Sequence, residues 1–335
     1  MNKEKVLLIV GSSSMDGANL IRYMTEKHPD YKLYGTVRRH STPQSQDLRN
    51  LDIQNKIETV YMDLQDPVSI NRTFKSIKPD IIFSLAAQSQ VRVSFDLPIY
   101  TFTTNGLGVL YLLESYKEHC PNARFIQASS SEMFGNSYIE KNGIKYQDEN
   151  TPFAPVSPYS IAKTSAYYFV KHYRRAYNLH ASNSICFNHT GKFRGESFVE
   201  AKICKVATEI KYGLKDKIEL GNIHSARDFT NSKDCVRAMD MIVHADNPND
   251  YVIASDNTCT IEEFCKVVFE KLGMNYKDYL TFNEKLLRGE ELHYLRGDAS
   301  KIQKELGWKP EFTLNDTIQE MLEYWDYRIK NQKLI

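Results

Sequence analysis

"KVLLIVGSSSMDG", Lys5 to Gly17, decides how this chain is read: an apolar run stops at Gly11, and small residues lead out of it. The run predicts a buried strand, and the turn after it predicts a strand-to-helix connection. Such a connection offers backbone N–H groups and the positive end of a helix to a phosphate. Gly11 and Gly17 stand where a pyrophosphate-binding turn carries glycine, but Ser14 takes a third position where glycine is usual. Serine is small enough for close backbone approach, yet it adopts positive φ only at a cost.

Five further strand candidates follow: "KLYGTV" from Lys32, "IETVYM" from Ile57, "DIIFSLA" from Asp80, "RFIQAS" from Arg124 and "ASNSICF" from Ala181. Longer amphipathic segments separate them, notably a helix candidate from Tyr100 to Cys120 and another from Pro158 to Tyr177. Near-continuous apolar strands alternating with helices predict an α/β fold, a Rossmann-type doubly wound parallel sheet covered on both faces. After about residue 186 the rhythm becomes irregular, which predicts a smaller, loop-rich C-terminal substrate-binding domain. The expected division is 1–186 with about 222–255 in the sheet domain, and about 187–221 with 256–335 in the second.

Composition narrows the class. With 335 residues and 41% hydrophobic content the chain can bury a large core. Lys plus Arg number 43 against 42 Asp plus Glu, so charge gives no case for nucleic acid or an anionic membrane as partner. No segment approaches the roughly 18 consecutive apolar residues of a membrane span, and a cytoplasmic protein is expected. Six cysteines without a C-x-x-C pair predict reduced thiols, with no zinc site and no disulfide framework.

The strand ends supply cofactor candidates. An acidic residue after the second strand suits the ribose of NAD, whereas arginine suits the 2′-phosphate of NADP. "GTVRRH" places Arg38 and Arg39 there, so NADP is the expected cofactor. Gly11, Ser14, Met15, Asp16 and Gly17 form the turn; Asp63 and Leu64 follow the third strand, and Leu85, Ala86, Ala87 and Ser89 the fourth.

"QASSSEMFG" ends the fifth strand, and "PYSIAK" opens the next long helix. Tyr159 and Lys163 are four apart, which puts both on one helical face. A free phenol has a pKa of about 10 and is a poor base near neutrality. A neighbouring ammonium is expected to lower it.

These motifs resemble the extended short-chain dehydrogenase/reductases and, within them, the GDP-mannose 4,6-dehydratases. The resemblance runs over nearly the whole chain, through "DG" in the first turn, "VRR", "AAQSQVRVSFDLP", "QASSSEMFG", "PFAPVSPYSIAK", "FNH", "RGESFV", "LGNIHSARDF" and "GDASKIQKELGWKP". It implies Ser130, Glu132, Tyr159 and Lys163 as catalytic residues of an NADP-dependent lyase that recycles its cofactor. Ser130 would stabilise developing oxygen charge, Glu132 would be the base for carbon 5, and Tyr159 the base for the 4-hydroxyl. It adds Tyr159, Lys163, His189 and Arg194 to the cofactor set. Substrate contacts are implied at Ser89, Ser130, Glu132, Asn188, Lys202, Gly221, Arg227, Arg288 and Glu291, for a nucleotide-diphosphate sugar, a GDP-sugar first. A homodimer or homotetramer is also implied, the dimer through the two long helices and the tetramer through the loop "RRHSTPQSQDLRN".

Several positions depart from the dehydratase pattern. "NHTGKFRG" replaces "NHESPRRG" at Thr190, Gly191, Lys192 and Phe193; Gly289 replaces a proline, and Asn105 stands where an aspartate is common. A CDP- or UDP-linked sugar, a 4-keto reductase, epimerase or decarboxylase reaction, and a non-catalytic NADP-binding regulator therefore stay open as alternatives.

Overall fold

The computed structural model describes residues 4–38, 53–287 and 290–332. Arg39, Arg288, Gly289 and most of the loop from Arg38 to Asn50 lie outside them. Seven strands form one sheet: β1 (Val6–Val10), β2 (Lys32–Val37), β3 (Glu58–Tyr61), β4 (Ile81–Ser84), β5 (Arg124–Ser130), β6 (His180–Cys186) and β7 (Asp250–Ile253). Every pairing is parallel and the order is β7-β6-β5-β4-β1-β2-β3. Chain direction across the sheet reverses between β1 and β4, which opens a crevice at their carboxyl ends. The six expected strands are all present. β7 adds a seventh that the sequence reading did not single out.

The alternation of side chains explains the layers. Leu7 and Ile9 point to one face, where α1 (Met15–Lys27) and α6 (Ser232–His244) contribute Leu20, Met24, Met239 and Ile242. Leu8 and Val10 point to the other, under α2 (Pro67–Ile77), α3 (Gly108–His119) and α4 (Pro158–Tyr177), with Phe74, Leu112 and Val170. These four β1 side chains are fully buried, so neither face tolerates a polar residue. A third apolar core joins α5 (Val199–Lys211), α7 (Ile261–Lys271) and α8 (Leu314–Gln332) through Ile203, Phe264, Ile318 and Trp325. Its loops overhang the crevice.

Local signals fix the helix that carries the tyrosine. Pro158 occupies the first turn of α4, and Ser157 with Ser160 forms a reciprocal capping box, so the helix starts one residue before Tyr159. The helix expected from Tyr100 is divided. A short helix, Pro98–Phe102, passes through a π-helical turn, Thr103–Leu107, before α3 begins. That extra residue per turn presents Asn105 to the chain leaving β4. β7 is locked by Asp250, whose carboxylate accepts from both terminal guanidinium nitrogens of Arg174 at 2.9 and 2.7 Å and from the Asn183 amide at 2.9 Å.

Candidate active site

Backbone geometry shows why the first turn needs two glycines and not three. Gly11 has φ +94°, and a Cβ on it would lie 2.7 Å from the Ala86 nitrogen. A Cβ on Gly17 would lie 2.5 Å from the Gly11 oxygen. Ser14 sits at φ −79°, ψ 168°, so the anticipated cost of positive φ does not arise. Instead it caps α1: its Oγ accepts from the Gly17 N–H at 3.0 Å and donates to the Gly11 carbonyl at 2.8 Å. Thr36 on β2 anchors the turn from outside, accepting the Gly11 N–H at its Oγ1 at 3.1 Å.

A cavity of about 1530 Å³ runs from this turn to the C-terminal loops. It exceeds the roughly 300–1,000 Å³ of an ordinary small-molecule pocket and has room for two extended ligands. At one end the walls are Gly11, Ser14, Met15, Asp16, Arg38, Asp63, Leu64, Leu85, Ala86, Ala87 and Ser89. Ser130, Glu132, Tyr159, Lys163, His189 and Arg194 stand in the middle, and Asn188, Lys202, Gly221, Arg227 and Glu291 close the other end. Of the expected site residues within the described chain, Gly17 alone does not line it; its part is to let the turn close.

Asp16, expected to touch cofactor, is occupied by the protein itself. Its Oδ2 is 2.8 Å from His189 Nε2, and its Oδ1 accepts from Ser232 Oγ at 2.6 Å. His189 Nδ1 lies 2.9 Å from the Phe187 carbonyl, so both ring nitrogens donate and the ring is an imidazolium. Burial works against this charge, but Asp16 outweighs it and raises the His189 pKa to about 9. Burial likewise opposes the Asp16 carboxylate, yet His189, the Ser232 bond and Arg194 together hold it below its ordinary range. This clamp ties the cofactor turn to the end of β6 and to the start of α6.

The four catalytic candidates converge. Ser130 ends β5 and its Oγ accepts the Glu132 N–H at 3.3 Å, which turns the chain so that Glu132 faces the cavity beside Tyr159. Tyr159 is 8% exposed and hydrogen-bonds Ser130. Lys163 donates to the Ala128 carbonyl at 2.8 Å, with its amine 5.9 Å from the centre of the Tyr159 ring. The expected lowering of the Tyr159 pKa by Lys163 is not found. Burial dominates and pushes the phenol up to about 12; the Ser130 bond and Arg194 act in the opposite sense, and Glu132 adds to the rise. Lys163 is itself desolvated, which lowers its pKa to about 8.

Asn105 braces the chain leaving β4. Its Oδ1 accepts the Gln88 N–H and its Nδ2 donates to the Gln88 carbonyl, both at 2.8 Å. An aspartate could satisfy only the first bond, so the asparagine at this departure fits the loop carrying Ser89. Arg194 lies over the Phe198 ring at 3.6 Å and donates from Nε to buried Glu200 at 2.8 Å. Arg227 is braced by the Ala226 and Leu292 carbonyls at 2.8 and 2.9 Å. Phe193, at another departure, lines the cavity beneath the Lys192 amine. Lys202 donates to the Glu219 carbonyl at 2.6 Å, and Asn188 leaves its buried Oδ1 without a hydrogen-bond partner.

Sequence reading missed Thr36, Tyr100 and Ser232. Tyr100 holds the Arg38 guanidinium at 2.5 Å from its hydroxyl. Ser232 lies 216 positions from Asp16, beyond any local signal. Gln90 and Ser197 were also unforeseen; they meet across the mouth of the cavity.

A family model described as GDP-mannose 4,6 dehydratase matches residues 8–321. This chain belongs to that family. GDP-mannose 4,6 dehydratase 2 of Arabidopsis thaliana is 39% identical over 329 residues, 95% of this chain and 86% of the relative. Among solved structures, dTDP-glucose 4,6-dehydratase of Bacillus anthracis in complex with NAD superposes with a TM-score of 0.83 at 23% identity, covering 97% and 98% of the two chains. RMD of Pseudomonas aeruginosa complexed with NADPH gives 0.78 at 22%, covering 97% and 100%. The Rossmann-type α/β fold is thereby shown over nearly the whole chain.

The clamp carries a pH signature. A histidine whose pKa is raised on folding contributes stability fully present below its unfolded value of about 6.5 and lost as pH rises through about 9. The thermal unfolding midpoint is expected to fall across that window, and His189→Gln to flatten the fall. An equally steep slope in the variant would assign it to other groups.

Proposed function

We propose that this chain is a nucleotide-sugar 4,6-dehydratase acting on GDP-mannose, or a GDP-sugar of the same configuration, with NADP as its bound, recycled cofactor. One observation carries the reading: a carboxylate, Glu132, stands beside the Tyr159–Ser130 pair within a cavity large enough for both ligands. A simple epimerase has no use for that third group. Family membership and near-complete coverage of a curated dehydratase relative support the same reaction.

The turn fits a dinucleotide, since Gly11 leaves the backbone bare at the crevice and α1 points its N-terminus there. Arg38, held by Tyr100 and lacking an acidic neighbour on β2, favours a 2′-phosphate over a free ribose hydroxyl. Arg39 belongs to the same expectation. Bound there, the nicotinamide would accept a hydride from carbon 4 of the sugar and return it to carbon 6.

Tyr159 takes the proton of the 4-hydroxyl. In the unliganded site it is protonated, so it becomes a base only as further positive charge enters a cleft that already holds Lys163 and Arg194. Ser130 donates to the oxygen on which charge develops. The ketone at carbon 4 acidifies the hydrogen at carbon 5, and Glu132 removes that proton and passes it to the departing 6-hydroxyl, which leaves as water; once hydride has been returned to carbon 6, carbon 5 takes one proton from solvent, matched by the 4-hydroxyl proton that Tyr159 gives up to solvent. Arg227, Lys202, Asn188, Gly221, Glu291 and Arg288 are proposed to hold the nucleotide, with the guanidiniums on its diphosphate.

A homodimer is part of the proposal. Ile99, Ile161 and Tyr168, 76%, 47% and 54% exposed, place apolar surface on the packed helices Pro98–Phe102 and α4. Burial of that surface against a second copy fits the homodimer implied by the family resemblance.

Replacing Glu132→Gln tests the assignment. The variant is expected to bind both ligands and to complete the first oxidation, so absorbance of reduced nicotinamide accumulates in a single turnover while no water is lost. Normal dehydration by the variant would remove Glu132 from the role. With wild-type enzyme, NADP⁺ should be preferred over NAD⁺ by about ten- to a hundredfold, the worth of one charged hydrogen-bond contact of about 1.5–3 kcal/mol.

A further inference from the structure

α1 and α6 lie side by side on one face of the sheet and meet at both ends. At their N-termini Ser232 bonds Asp16 and Asn19, at 2.6 and 2.9 Å. At their C-termini His28, the residue that ends α1, faces Asp240 and His244, one turn apart on α6. His28 Nε2 lies 3.3 Å from Asp240 Oδ1, and His244 Nδ1 lies 2.9 Å from the same oxygen. Two tyrosines frame the group: Tyr23 donates to Asp240 Oδ2 at 3.2 Å, and the Tyr31 hydroxyl is 3.2 Å from His244 Nε2. The cluster is not part of the catalytic cavity.

We propose that His28, Asp240 and His244 bind one divalent transition-metal ion of the zinc class, which staples the C-terminal ends of α1 and α6. One ligand atom from each of the three residues lies within 4.8 Å of the others. The Asp240 side chain is 7% exposed, and its Oδ1 is buried and aimed between the two rings, within ion-pair distance of a nitrogen of each. A buried carboxylate oxygen in that position calls for a cation. Asp240 and His244 are four apart on a helix, so both ligands project from one face, and α1 supplies the third from across the helix pair.

Ligand chemistry selects the ion. Two imidazoles and one carboxylate suit Zn²⁺, Co²⁺, Ni²⁺ or Cu²⁺, whereas Mg²⁺ and Ca²⁺ want oxygen alone. Bond lengths of about 2.0–2.1 Å in a tetrahedral site set ligand atoms about 3.3 Å apart, which the two imidazole–carboxylate separations already approach. Closure needs one ring to turn. His28 is the one placed to do so, at φ −131°, ψ 65°, just past the end of the helix, and its present stack on His244 at 5.1 Å between ring centres would open. His28 and His244 are 20% and 25% exposed, which leaves an entry path and room for water as the fourth ligand. This proposal departs from the expectation of no metal site. That expectation looked at cysteine spacing, and ligands 212 positions apart have no spacing to find.

The test uses the full chain, stripped with EDTA and dialysed, then titrated with ZnCl₂ by calorimetry and with CoCl₂ by visible absorption. One Zn²⁺ per chain, a raised unfolding midpoint and a Co²⁺ band typical of nitrogen and oxygen ligands are expected, with no response to MgCl₂. His28→Ala changes a partly exposed helix end and should fold normally. It is expected to weaken Zn²⁺ binding by at least about tenfold, because loss of a ligand costs no less than loss of an outer-shell partner. Asp240→Asn should remove the Co²⁺ band. Failure to saturate, or binding equally tight in His28→Ala, would overturn the site. A midpoint that ignores Zn²⁺ and follows pH alone would overturn it too, by making the cluster a pH-dependent ion pair.

Discussion

Asp16 and His189, 173 positions apart, meet as a partly buried ion pair at the point where the first strand turns into its helix, and the working parts of the molecule hang from that contact. A carboxylate in the first turn of a helix is favoured by the helix dipole, but burial would oppose it without a partner. His189 supplies one, and Ser232 adds a hydrogen bond from the start of α6. The turn, the end of β6 and the first turn of α6 are thereby held in one arrangement. Asn188, next to His189, is carried with them into the cavity wall. The proposed cofactor and substrate ends of the cleft therefore share a support, although one comes from near the start of the chain and the other from beyond its middle.

Burial is the second constraint, and it acts on the proposed catalytic residues Tyr159 and Lys163 in opposite directions. It raises Tyr159 and lowers Lys163, so that each is displaced toward its neutral form. A site left in that condition is poorly suited to proton transfer. Polar contacts oppose it: Ser130 bonds the phenol, Arg194 contributes positive charge, and the Ala128 carbonyl receives the lysine. The Phe198 face and Glu200 fix Arg194 where it can do this. Ligands that bring their own charge complete the balance, which suits a cofactor that stays bound through the cycle.

Much of this was legible in the sequence, for identifiable reasons. Apolar strands buried on both faces leave a continuous signal, and six were read correctly; β7 was not, since "DYVI" is four residues long and sits among irregular segments. The Tyr159 and Lys163 spacing placed them on one face, but spacing carries no information about desolvation, and the sense of the Tyr159 shift was missed for that reason. Ser14 looked like a compromise because position alone suggested a glycine; its hydroxyl turned out to be a helix cap. Asn105 looked like a mere departure, and its meaning depends on a π-turn that only the pairing with Gln88 explains. Contacts such as Ser232 with Asp16, or His28 with Asp240, join distant segments of the chain and leave no local trace.

Divergence is concentrated between His189 and Arg194, at Thr190, Gly191, Lys192 and Phe193, of which Phe193 lines the cavity, whereas Ser130, Glu132, Tyr159 and Lys163 keep their pattern. The chemistry is thus expected to be that of the family even where the pocket rim differs. Mass spectrometry of the products from GDP-mannose and catalytic NADP⁺ in deuterated water tests this most directly. The expected product has lost one water and carries one solvent deuterium at carbon 5, with the cofactor unchanged in amount. Recovery of intact sugar, or of a reduced sugar formed at the expense of added NADPH, would contradict an internal redox dehydration at this site.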